Sequence, residues 1–163
     1  MANTLQFRLV DEMAKKYRNV QLTSIENAPV NPVPHDAHSL WLDLEVLKDF
    51  ISKIEQEVAA HPETPVRNLG LRFYYSAYPS NKDWHTPGYE DIADLLNDPE
   101  TLQYEEKHTL IAVPTFEKAG HNQDFNPADA ATYTGTAPMP SSTIMALNHG
   151  SMIPPKQSIG EWF

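Results

Sequence analysis

From Leu40 to Val58 the apolar positions Leu40, Leu44, Leu47, Ile51, Ile54 and Val58 recur at steps of four and three. That spacing draws one stripe down a helix. It predicts a helix from about residue 43 to 59, with Ser39 or Asp43 as N-cap. Asp49 and Lys53 pair one turn apart on its wet face, and His61-Pro62 closes it. The period then changes to two. Leu69, Leu71, Phe73, Tyr75 and Ala77 alternate with Gly70, Arg72, Tyr74, Ser76 and Tyr78, which predicts a strand over 69–78 ended by Pro79. A second strand is expected over 108–115, where "HTLIAVPT" is apolar on both faces from Leu110 to Val113, as in a central strand. Leu47, Ile51, Ile54, Leu71, Phe73, Leu110, Ile111 and Val113 are the expected core.

The remaining segments are shorter. "FRLVDEMAKKYRN" reads as a helix, with Leu9, Met13 and Tyr17 four apart and Val10 and Ala14 beside them. Leu5, Phe7 and Leu9 also alternate with Gln6 and Arg8, so the extreme start fits an extended segment equally. "ENAPVNPVPHDAHS" holds three prolines and is an extended loop. "YEDIADLLND" predicts a short helix with Ile92, Leu95 and Leu96 inward. "EKAGHNQDFNP" is a turn and loop. Asn126 before Pro127 is the expected N-cap of a short helix through "ADAATY". "TIMALNHG" is a short element ended at Asn148 or Gly150, and "SMIPPKQSIGEWF" has no period. The sum is α+β: helices packed on a small, mainly antiparallel sheet, with a loop-rich C-terminal half. One domain is expected over 1–163, made of an N-terminal helix and Pro-rich loop (1–38), a helix and strand core (39–136) and an extended tail (137–163).

Composition narrows the function classes. A chain of 163 residues can bury a core without disulfides or metal. Its 14 prolines fall mostly between the periodic segments, which favours ordered loops. The net charge of −10 repels phosphate backbones and anionic membranes, so nucleic acid and membrane are not expected partners, whereas a basic protein is compatible. With no cysteine, thiolate catalysis and cysteine zinc sites are excluded. The N-terminus lacks the basic patch and apolar run of a secretory signal, so the cytoplasm is the expected compartment.

Four stretches, "WLDLEVLKDFISKIE", "LGLRFYYSAYP", "HTLIAVPT" and "LNHGSMIPP", together resemble a widespread group of short, uncharacterised cytosolic proteins from Bacteroidota. The likeness runs from about Trp41 to Pro155. In that group the last motif often carries a cysteine before the Pro-Pro, where Ile153 stands here, which argues against a thiol role. The resemblance implies no activity.

Candidate chemistry is sparse. No G-x-S-x-G, H-E-x-x-H, P-loop or G-x-G-x-x-G occurs, and no cofactor is expected. His35 and His38 are three apart, but in a Pro-rich loop and without a local third ligand. His121, Asp124 and Asp129 do not follow the spacing of a calcium loop, and Asp124 suits an Asx-turn better. No metal is therefore assigned. Arg72 lies in an apolar, aromatic strand beside Tyr74, so it must meet an acid, stack on tyrosine, reach solvent or receive an anionic ligand. Trp84 and His85 share the loop after that strand, where the Trp is either a contact residue or a lid on its own sheet. In "LNHGSMIPP" Asn148 and Gly150 accept positive φ, so a left-handed cap followed by the extended Pro154-Pro155 accounts for the stretch. The alternative is a small-acid site at His149 and the Gly150 and Ser151 N–H groups, with Arg72 or Asp124 nearby.

Three functions fit. The first is a non-catalytic protein-interaction module: an adaptor, assembly subunit or inhibitor with a protein partner. The second is a small anionic-ligand binder or enzyme using Arg72, Tyr74 and His149. The third is a homo-oligomeric structural protein joined through "GEWF" or an uncovered strand edge. The absence of any enzyme motif places the first ahead.

Overall fold

The computed structural model describes residues 4–64, 66–134, 143–148, 150–153 and 160–163. The fold is α+β, with helices packed against two small antiparallel sheets. The chain divides into two compact units: Met1–Trp41, Tyr78–His108 and Ser151–Phe163 form one, and Leu42–Ala77 and Thr109–Gly150 form the other.

In the first unit, α1 (Phe7–Lys16) runs into a π-helical segment (Tyr17–Leu22) and then α2 (Thr23–Glu26). Salt pairs Arg8–Glu12 and Lys15–Asp11 lie along the exposed side of α1 at four-residue spacing. Strand β1 (Ser39–Trp41) pairs antiparallel with β5 (Ser151–Ile153), Leu40 opposite Met152. α4 (Glu90–Ala93) continues as a 3-10 turn (Asp94–Asn97). Ala37, Tyr78, Trp84, Tyr104 and Met152 form the core, and Ile92, Leu95 and Leu96 pack on it as their spacing predicts.

In the second unit, α3 (Leu44–Ala59) begins at Asp43, whose carboxylate accepts from the Glu45 and Val46 N–H groups. Of the two caps the sequence allows, Asp43 is the one used; Ser39 belongs to β1. The sheet has the order β2 (Gly70–Ala77), β3 (His108–Lys118), β4 (His121–Asp124). Phe50 and Ile54 of α3 pack on Ala112 and Leu147, with Leu47 and Leu71 at the margin. A second cluster joins Phe116, Phe125 and Tyr133, whose rings meet edge to face.

Several expectations need correction. Phe73 was expected in the core, but it is 50 % exposed, and Ile51 is 39 % exposed. α3 turns Phe50 and Ile54 inward and leaves Ile51, one position round the helix from Phe50, at the rim of the packed face. After Lys118 the expected turn is present, Ala119 and Gly120 both with positive φ, but the expected loop is strand β4, which returns with Lys118 opposite His121. The aperiodic tail contributes β5. The helix expected through "ADAATY" is a 3-10 turn from Ala130, and Asn126 caps the preceding Ala128 N–H.

Candidate functional site

Strand β2 is the outer strand of its sheet. An added Cβ on Gly70 would come within 3.0 Å of Thr115 Oγ1, and just past the end of β2 the Tyr78 N–H donates to the Lys107 carbonyl at 3.0 Å, so even-numbered β2 residues face β3. On β3, Ala112 spends both its N–H and its C=O on Leu147, at 3.0 and 2.9 Å. Leu147 sits on the side of β3 away from β2, so Ile111 and Val113 are directed toward β2. Strand alternation then points the amides of Leu71, Phe73 and Tyr75 away from β3. Their side chains share the face of α3. Leu71 reaches the core, while Phe73 is half exposed and Tyr75 is 90 % exposed. Beside them Ile51, Ile54, Glu55, Leu69, Gly70 and Leu71 line a groove of about 180 Å³. Among the described residues no strand pairs with this edge, and aromatic surface flanks it.

The opposite face of β2 gathers three of the sequence candidates. Arg72 Nη1 donates to Asp124 Oδ1 at 2.5 Å and Nη2 to the Asn122 carbonyl at 2.7 Å. The Tyr74 hydroxyl donates to the other Asp124 oxygen. Tyr74, then Asp124, raises the Arg72 pKa above its ordinary value. Arg72 thus meets an acid, and that acid is the Asp124 expected in a turn; it lies instead on β4. The cluster is internally satisfied and ties β2 to β4 across β3.

The other candidates are dispersed. Trp84 is buried on Tyr78, its indole N–H donating to the Pro79 carbonyl at 2.8 Å. His85 is exposed. Asn148 accepts from the Thr109 hydroxyl at 3.0 Å, and Gly150 is half-buried. His149, Pro154 and Pro155 lie outside the described residues, and with them the left-handed cap and the small-acid site.

Two clusters were invisible in the sequence. Asp36, with a fully buried side chain, accepts from the His108 ring Nδ1–H, the His108 N–H at 2.8 Å and the Ala37 N–H at 2.8 Å. Beside it the buried Lys107 ammonium donates to the Pro34 and His35 carbonyls at 3.1 and 2.5 Å. Burial lowers the Lys107 pKa, against the pull of Asp36 and Glu26. The second cluster sets Arg18 Nη2 3.0 Å from His38 Nδ1, with the Glu161 carboxylate taking the Ser39 hydroxyl. It borders a pocket of about 270 Å³ walled by Tyr17, Trp162 and Phe163. Burial and Arg18 lower the His38 pKa, against Glu161 and Glu26. Both clusters join residues far apart in sequence. The one local sign was that Asp36 and His38 alternate with apolar or small neighbours in a loop otherwise ruled by proline.

Among the described residues no three His, Asp or Glu side chains gather to hold a metal, and no helix is long and apolar enough to cross a membrane. His35 and His38 part company: the His35 carbonyl serves Lys107 and the His38 ring serves Arg18. No family model matches the chain, nor does any curated protein or solved structure.

Proposed function

We propose that this chain is a non-catalytic protein-interaction module of the cytoplasm, acting as an adaptor, assembly subunit or inhibitor of a protein partner. The observation that supports the reading is the open edge of β2 with Phe73 and Tyr75 uncovered beside it. An unpaired edge is a template for strand addition, and exposed aromatic side chains supply contact area at low entropic cost. The ligand-binding alternative is weaker, because the Arg72 guanidinium it needs is engaged by Asp124 and Asn122. The net charge of −10 favours a basic partner over nucleic acid or an anionic membrane.

Affinity capture with the wild-type chain and with Phe73→Lys/Tyr75→Lys tests the reading. A stoichiometric partner should be held by the wild type, weakened by salt, and released by the variant while circular dichroism shows the variant still folded. Recovery of the bare chain at every salt level counts against the module.

A further inference from the structure

We propose that the β2 edge and its groove take an extended partner segment with apolar side chains at alternate positions and a lysine or arginine on the same face. This deepens the interaction-module reading and rests on it. Natural edge strands are blunted by lysine, proline, bulges or extreme shortness. β2 has eight residues and no proline or lysine. Its one cation, Arg72, is turned to the other face and held by Asp124. Among the described residues, no strand takes the amides of Leu71, Phe73 and Tyr75, which leaves them to a further ladder.

The side chains beside the edge select the occupant. An added strand places alternate residues on the α3 side, roughly 7 Å apart. There they cover Phe73 and Tyr75 and enter the groove at Leu69–Leu71. Among the described residues that groove is lined from α3, the start of β2 and Leu69 just before it, and Glu55 is the charged side chain of the set. A cation on the apolar face of the incoming segment meets Glu55; an anion is repelled. A second copy of β2 fits less well. It would offer Leu71, Phe73, Tyr75 and Ala77 on that face, with no cation among them, and would bring together two chains of charge −10.

The probe is a blocked octapeptide with valine, isoleucine, lysine and valine at alternate positions and threonine between them. It is titrated into the isotope-labelled full chain and compared with the same peptide carrying glutamate for lysine. Amide shifts should centre on Leu71, Phe73 and Tyr75 and on the groove. The lysine peptide should bind about fivefold tighter than the glutamate peptide, and Glu55→Gln should erase that preference without moving the melting temperature. Equal binding of the two peptides, or shifts mapping elsewhere, overturns the proposal. If sedimentation instead shows a dimer whose β2 amides are protected without peptide, the occupant is a second copy and the interaction reading stands. If neither peptide nor copy engages β2, and Phe73→Lys/Tyr75→Lys captures the same proteins as wild type, the interaction reading falls as well.

Discussion

Asp36 lies wholly buried against His108, 72 residues away in sequence, and accepts both the ring Nδ1–H and the main-chain N–H of that one residue. A buried carboxylate survives only when its oxygens are filled, and here three donors fill them. The contact fixes the Pro-rich loop to the start of β3, and Lys107 adds a second tie through its bonds to the loop carbonyls. Removing the carboxylate strands the Ala37 and His108 N–H groups and takes away the stronger of the two negative charges, Asp36 and Glu26, that act on Lys107. Asp36→Ala should therefore cost about 2–4 kcal/mol in urea unfolding. A loss under half a kcal/mol would mean that water replaces the carboxylate without penalty.

His38 gives a pH dependence of definite sign. Its folded pKa lies below the ordinary 6.5, through burial first and Arg18 second, while Glu161 and Glu26 pull the other way. The unfolded chain therefore takes up a proton that the folded chain resists. This contribution to stability is complete above pH 6.5 and is lost as pH falls through the lower folded value. Unfolding curves from pH 8 to 5 should show a drop in wild type that His38→Gln lacks, with Trp162 fluorescence reporting the neighbouring tail. Parallel curves for the two proteins would show that His38 does not titrate differently on folding.

Burial separates two residues that look equivalent in sequence. Ile54 is 4 % exposed, and Ile54→Ala should cost about 2–5 kcal/mol. Phe73 is half exposed, and Phe73→Ala should cost about 1–2 kcal/mol, because much of its surface already meets water. Chemical denaturation of both variants checks the order. A reversed order would place Phe73 in the core after all.

The β3–β4 turn carries a correctable strain. Ala119 sits at φ 50°, a region that alanine adopts at a cost and asparagine tolerates. Ala119→Asn should stabilise the chain by about 0.5–1 kcal/mol and raise its melting temperature. A lowered melting temperature would argue against a left-handed Ala119.

The residues show where sequence reading succeeds and where it stops. α3 was legible because five apolar positions from Leu44 to Val58 keep the helical period and Asp43 offers a cap, while Leu40, the first of the stripe, belongs to β1. β2 and β3 were legible from alternation and from a continuous apolar run. Alternation, however, registers which residues are apolar, not whether anything covers them, so the edge-strand aromatics Phe73 and Tyr75 read like core. β1 and β5 have three residues each, too few for any period. β4 is the polar stretch "HNQD", strand only by virtue of the turn before it. For the site, the sequence required a partner for Arg72 without selecting Asp124 from 22 acidic residues. The Asp36–His108 and Arg18–His38 contacts span chain separations over which no local pattern acts.

The pairing of β1 with β5 bears on how the chain is made. Leu40 waits for Met152. During synthesis β1 leaves the ribosome on the order of ten seconds before its only paired strand among the described residues, at ordinary elongation rates. The unit that contains it is drawn from three separate stretches of chain, so its core closes only once the last of them, with Met152, has been made. The other unit needs nothing beyond Gly150 and can be complete first. Translation order therefore sets assembly order. A chain that ended near residue 150 would lack Met152 and the strand that pairs with β1, so the core of Ala37, Tyr78, Trp84 and Tyr104 would stay open on that side.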